Sequence, residues 1–431
     1  MIMLLKKYDC KLIDVETAFL EGELEEEIFM DIPAGFKEVM EEETEGQCLK
    51  LERPLYGLVQ AACQFWKKAV EVLSNLGFVG GNADPCLMTR KNDDGVVYII
   101  MYVDDFLCVG DNKALKKLEE ELSGPDSGLT IKVTESLTDY LSCEIKIDEE
   151  KMKGVLRQPH LIKNLKKTFG AMVEKKQKYR TPGTPGQGVL RPETDEMKIT
   201  TEKQKSFRSG VGMLLYLVKH SRPDIANATR ELSKSMDGAT EVAYQELLRV
   251  IKYVLDTEGY GLKLEPKMDL EMWSIVALSD SDWAGDKQSR ISVAGYVLYF
   301  CGVAIAWKSK GMKHITLSSS EAELVALSEC VKDVRFVMMI MEDLGLNLHR
   351  PVTVMVDNVG AMFLAENATT SQRTRHIDIR YKWVNEFVEN GDVKIVFVKT
   401  AENDADIFTK NVSGDLNDRH VNQMMSIEEL N

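Results

Sequence analysis

Two adjacent carboxylates, Asp104 and Asp105, sit in the middle of apolar sequence. The run before them, Val96 to Val103, is β-branched and aromatic and predicts a buried strand. Phe106 to Val109 is apolar again, and Gly110 stops it. Two apolar strands joined through Asp-Asp make a hairpin with its acids at the tip. Acids embedded in apolar sequence cost free energy unless something neutralises them. A divalent cation does so, and hard oxygen ligands suit Mg²⁺. A surface hairpin with an Asp-Asp turn fits this stretch equally well.

Further acids share that setting. Asp14 lies in Leu12-Ile13-Asp14-Val15, which reads as a strand end. Asp280 ends the strand Met272 to Leu278, and Asp357 ends Val352 to Val356. Glu323 lies in the first turns of a helix opened by Ser318-Ser319-Ser320, and Asp406 near the start of another, Asp404 to Lys410. One set is therefore Asp14, Asp104 and Asp105; the other is Asp280, Glu323, Asp357 and Asp406. Each could hold two Mg²⁺ ions about 4 Å apart, one for the attacking oxygen and one for the leaving oxygen. A single Asp is more often a cap or a turn residue, but two sets on strand ends are harder to dismiss. Asp282 and Glu321 are rivals for Asp280 and Glu323. Ser318 with Glu321, or Ser320 with Glu323, could instead form a capping box.

The elements that must position these acids follow in order. Pro54 to Leu58 is a turn into a helix, Gln60 to Leu76, with Trp66, Val70 and Leu73 on one face. After the Asp-Asp hairpin come a helix, 113–122, a strand pair, Leu141 to Ile147 and Gly154 to Leu156, and a basic amphipathic helix, His160 to Phe169. The segment 180–199 holds three prolines and three glycines and reads as a linker. Residues 202–256 are largely helical. Beyond Met272 the order is three strands (two of them within Val293 to Trp307, broken at Gly302), helix, strand, helix Arg373 to Asn390, strand Val393 to Val398, and a last helix.

The 431 residues suffice for two or three cored domains. No apolar run approaches the ~18 residues of a membrane-spanning helix, and Met1 to Leu5 is too short for a signal sequence. The eight cysteines form no C-x-x-C pair, which argues for core thiols in a reducing compartment and against zinc. A net charge of −15 argues against strong nonspecific nucleic-acid binding. Lysines between 163 and 178, and Arg373, Arg375, Arg380 and Lys382, form local basic patches, a pattern more often solvated than binding. His376 reads as a packing or hydrogen-bonding residue on a helix.

Taken together, IDVETAFLEG, LEEEIFMDIPAGF, PLYGLVQAACQFW, YVDD, FRSGVGMLLYL, SRPDI, SDSDWAGD, LSSSEAELVALSE, VDNVGA, RTRHIDIRY and ADIFTK resemble the copia-type LTR retrotransposon Pol polyproteins, over roughly residues 9–412. The resembling part is reverse transcriptase followed by RNase H. The resemblance implies an α+β fold. It comprises a partial reverse-transcriptase palm over 1–157, a helical thumb and connection over 158–270, an RNase H-like α/β domain over 271–412, and a tail over 413–431. It implies that Asp14, Asp104 and Asp105 bind the polymerase metals, Asp105 more peripherally, and that Asp280, Glu323, Asp357 and Asp406 are the RNase H acids. Ala322-Glu323-Leu324 resembles other RNase H enzymes, which favours Glu323 over Glu321. The implied cofactors are Mg²⁺ or Mn²⁺, two per site. The implied partners are an RNA template, a DNA primer, an RNA–DNA hybrid, dNTPs and other parts of a Pol polyprotein. The implied setting is the cytoplasm, a virus-like particle or the nucleus, without secretion.

The departures shape the expected activity. The family has a fingers segment upstream of residue 1, so the polymerase half is expected to be incomplete. Val59, Ala62 and Cys63 stand where the family usually has Lys, Pro and Arg. All the RNase H acids are present. The expected function is an RNA-directed DNA polymerase with ribonuclease H activity. The alternative is a non-catalytic retroelement remnant or a co-opted nucleic-acid-binding protein.

Overall fold

The computed structural model describes every residue except 37–45, 136, 138, 139, 149, 151, 268–271, 367–377 and 428–431. The residues Arg373, Arg375 and His376 therefore lie outside the described residues.

An antiparallel six-stranded sheet carries the first acids. Its order is Val79–Gly80, Leu87–Asn92, Gly95–Tyr102, Asp105–Gly110, Asp9–Val15 and Ile131–Thr134. Alternate residues of the central strands, such as Val97, Ile99, Phe106 and Cys108, are fully buried. They meet the apolar stripes of two helices, Ala61–Asn75 and Asn112–Ser123, through Phe65, Leu73, Leu115 and Leu118. This period-2 face against a period-3.6 stripe is what the sequence pattern requires.

A helical layer follows: Pro159–Val173, Thr201–His220, Ala226–Ser233 and Glu241–Asp256, sharing one apolar core. A four-stranded sheet accompanies it, ordered Met425–Ser426, Gly261–Leu264, Lys153–Arg157, Glu144–Asp148. Two residues expected in its last strand, Leu141 and Ser142, instead make a left-handed turn ahead of Glu144. The C-terminal residues read as a tail return to this layer: Gly414–Met424 is a helix, and Met425–Ser426 pairs with Gly261–Leu264.

The last sheet is ordered Val303–Gly311, Val293–Phe300, Ile275–Asp282, Val352–Val356, Val393–Phe397. The first three strands are antiparallel, and the last two run parallel to Ile275–Asp282. The 25-residue helix Ser319–Asp343 packs on Ile275–Asp282 and Val293–Phe300. Every residue of Val293–Phe300 is buried. The fold is thus α+β, as the family resemblance implied.

The 180–199 segment is no free linker. Asn411 Nδ2 donates to the Gln187 carbonyl (2.8 Å), and Gly186 N donates to the Asn411 carbonyl (3.0 Å). The Gln288 amide both accepts from Arg191 N (2.7 Å) and donates to the Arg191 carbonyl (3.0 Å). A Cβ on Gly183 would lie 2.5 Å from the Asn411 side chain, so only glycine allows that approach.

Candidate active site

The central parallel pair places two acids side by side. Ser279 is in register with Val356, so Asp280 and Asp357 leave the carboxyl ends of neighbouring strands. That edge is where parallel α/β sheets bind ligands. The helix Ser319–Asp343 brings Glu323 over the same edge. Its N-cap is Ser318, whose Oγ accepts from Glu321 N (3.1 Å), while Glu321 Oε2 accepts from Leu317 N (2.6 Å). Of the two serines it is Ser318 that caps the helix, and the Glu321 carboxylate reaches back to the residue before the cap.

Asp280, Glu323 and Asp357 each present a carboxylate oxygen within 4.8 Å of the other two. Asp280 and Glu323 are 2% and 5% exposed. Ser281 donates its N–H (3.2 Å) and its hydroxyl (2.9 Å) to Glu323 Oε1. Glu323 Oε2 is buried and has no hydrogen-bond partner among the described residues. Burial first, then the negative charge of Asp406, pushes the Asp280 carboxyl above the ordinary carboxylate range. Burial first, then Asp280, raises Glu323. Two unit charges at such a spacing repel by ~3 kcal/mol at an effective dielectric of about 20. Clustered acids that resist ionisation, one with an orphaned oxygen, fit the donor set of a hard divalent cation.

Asp406 lies next to this group without belonging to it. It is 1% exposed at the start of the short helix Asp406–Thr409, and Lys410 Nζ sits 2.7 Å from its Oδ1. The Thr409 hydroxyl donates to Asp280 Oδ2 and to the Asp406 carbonyl. Asn403 Nδ2 donates to the Ser279 carbonyl (3.0 Å), which pins this helix to the strand. The close approach needs Gly295, where a Cβ would lie 2.7 Å from Thr409 Cγ2 and 2.8 Å from Phe408 Cβ. Asp282, half-buried, is outside the three-acid group and faces a different cleft. Sequence reasoning did not single out Ser281, Asn403, Thr409 or Lys410. Only Lys410 had a local signal, its i+4 spacing from Asp406 on a helix.

The other acids meet through strand pairing. Asp14 is in register with Asp105 across Asp9–Val15 and Asp105–Gly110, and Val15 N donates to the Asp104 carbonyl (3.0 Å). Tyr102 pairs with Asp105, so Val103 and Asp104 form the hairpin tip. Val103 has φ 57°, a left-handed conformation costly for a β-branched residue. Asp14 is exposed. Among the described residues these three do not make a compact group of the kind found at Asp280.

Residues 3–179 match the family model described as reverse transcriptase (RNA-dependent DNA polymerase). The chain is 31% identical over 408 residues to the retrovirus-related Pol polyprotein from transposon RE1 of Arabidopsis thaliana, covering 95% of this chain and 27% of that one. It is 30% identical over 405 residues to the corresponding polyprotein from transposon TNT 1-94 of Nicotiana tabacum, covering 92% and 29%. The chain thus spans just over a quarter of the length of these curated relatives. Among solved structures, an RNase H1 isolated from compost, LC11-RNase H1, covers 34% of this chain and 98% of its own at 14% identity and a TM-score of 0.26.

Proposed function

From the premise that this chain belongs to the copia-type, retrovirus-related Pol polyproteins of transposons, in their reverse transcriptase and RNase H region, we propose that it hydrolyses the RNA strand of RNA–DNA hybrids and carries the palm of an RNA-directed DNA polymerase. We assign the palm to residues 1–157, the thumb and connection to 158–270 and the RNase H-like domain to 271–412.

The observation that carries the hydrolase reading is the group of buried Asp280 and Glu323 with half-buried Asp357, mutually repelling and open to a cation. These residues, with Asp406 beside them, would hold Mg²⁺ or Mn²⁺, two per site. Bound there, such ions activate the attacking oxygen and stabilise the leaving one. The chain's own groups do the positioning. Ser281 fixes the Glu323 carboxylate, Thr409 orients Asp280, and Lys410 balances the charge of Asp406. The products are a 3′-hydroxyl and a 5′-phosphate. Selection of a hybrid would rest on backbone geometry and 2′-hydroxyls rather than on base sequence. A labelled hybrid incubated with Mg²⁺ tests this: cleavage is expected, and Asp357→Asn abolishes it. A wild-type chain that leaves the hybrid intact overturns the reading.

For the polymerase half, Asp14 and Asp104 would hold the metals, with Asp105 peripheral, while a primer 3′-hydroxyl attacks the α-phosphate of a dNTP on an RNA template. A second reading, nucleic-acid binding without extension, has its own support. Val59, 94% exposed, puts an apolar side chain into solvent where a lysine was expected. Primer extension, with and without a supplied fingers segment, separates the two. Among the described residues no helix is long and apolar enough to cross a membrane. The cytoplasm, a virus-like particle or the nucleus is the setting proposed, with other parts of a Pol polyprotein as partners.

A further inference from the structure

A cleft of about 410 Å³ is lined in part by Thr409 and Lys410, the residues that contact Asp280 and Asp406. One wall is the strap at Gly186 to Gly188; the other is the loop that follows Ile275–Asp282, with Trp283, Lys287 and Arg290. The strap is tied by Asn411 at Gly186 and Gln187 and, further along the chain, by Gln288 at Arg191. Lys287 and Arg290 are exposed, and neither has an ion-pair partner among the described residues. Trp283 is 47% exposed, while its indole N–H is held by the Thr316 carbonyl (3.1 Å). Of the two acids on the walls, Glu231 is neutralised by Arg230 (2.6 Å) and Lys234 (2.8 Å), which leaves Asp282. On a chain of net charge −15, a pocket with two uncommitted cations and a fixed aromatic face is set apart from its surroundings.

We propose that this cleft is a subsite for one nucleotide of the RNA strand beside the cleaved bond, its phosphate against Lys287 and Arg290 and its base against Trp283. The proposal rests on the ribonuclease H reading above. The two cations supply the phosphate contact, and an aromatic face accepts any base. Asp282 and Gln187 line the same space, and a carboxylate or an amide can recognise a 2′-hydroxyl, which both donates and accepts. The connection segment thereby becomes part of the hydrolase site.

The test measures binding of labelled RNA–DNA hybrid, and of duplex DNA of the same sequence, by the full chain carrying Asp357→Asn, which spares the RNA. Adding Lys287→Ala with Arg290→Ala is expected to weaken hybrid binding by roughly 10-fold. It should flatten the dependence of log affinity on log salt by about 1, one phosphate contact being lost, with little change on duplex DNA. Trp283→Ala should weaken hybrid binding several-fold, and Trp283→Phe should retain it. Unchanged hybrid affinity and salt slope, or no hybrid binding at all, overturns the subsite. Equal losses on hybrid and duplex DNA overturn its assignment to the RNA strand. Loss of hybrid affinity in the variants, with no cleavage by the wild-type chain, sinks the catalytic reading and supports the subsite.

Discussion

Ser281 grips one oxygen of Glu323 with both its N–H and its hydroxyl, and the other oxygen is buried without a hydrogen-bond partner among the described residues. Glu321, two residues earlier, is turned away to close the helix start at Leu317. The two glutamates of one helix turn therefore have separate duties, one electrostatic and one structural.

Substituting each separates these duties. Glu323→Gln is expected to lower the rate of hybrid cleavage by about 10²-fold or more, since it removes an electrostatic group at the reacting centre. It should also stabilise the metal-free fold by ~1 kcal/mol, because a destabilised site trades stability for activity. Glu321→Gln should keep most of the activity, and Ser318→Ala should cost about 1 kcal/mol of stability through the lost cap. Cleavage rates and thermal melts of the three variants decide this. Equal activity in both Gln variants would count against a special role for Glu323.

The raised carboxyls of Asp280 and Glu323 predict a pH dependence of stability. Burial and mutual charge keep them protonated above the ordinary carboxylate range in the folded state. Across that window the folded chain binds more protons than the unfolded one, so stability is full below it and falls as pH rises through it. In EDTA the Tm of the hydrolase domain within the full chain should fall as pH rises through about 7 for Asp280 and about 9 for Glu323. Mg²⁺ should restore more of it at the upper end, because binding to the folded form alone stabilises it. A magnesium effect independent of pH would argue that these acids are not the ligands.

Gly295 tests the link between the last helix and Asp280. A methyl group there would meet Phe408 and Thr409 well inside contact distance. Gly295→Ala should cost about 1–3 kcal/mol by overpacking. It should also slow cleavage more than an equally destabilising change far from Thr409. Kinetics on both variants at a temperature where each is folded make the comparison.

In the helical layer, Arg222 and Asp224 are both fully buried, joined by two hydrogen bonds of 2.9 and 2.8 Å. The guanidinium also donates to the Thr257 hydroxyl (2.8 Å) and carbonyl (3.2 Å). Arg222→Ala strands a buried carboxylate and should cost about 3–5 kcal/mol, whereas replacing both members with apolar residues should cost much less. Denaturant unfolding of the single and double variants measures the difference.

Local pattern determined much of this protein. Runs of β-branched and apolar residues marked the strands around Asp14, Asp105 and Asp280, and helical periodicity marked Gln60 to Leu76. The turn from apolar strand to acid at Asp280 and Asp357 signalled the site, because burial and side-chain direction follow from spacing within a few residues. The choice between Glu321 and Glu323 could not be made that way. Both lie in one helix turn, and only the sheet edge facing that turn separates cap from cluster. The Pro- and Gly-rich segment 180–199 read as a linker because its composition is that of one. Its anchors, Gln288 and Asn411, lie far along the chain, so only the tertiary structure could turn it into the wall of a cleft. The same holds for Thr409 and Lys410, ordinary helix-end residues until packing against Gly295 brought them beside Asp280 and Asp406.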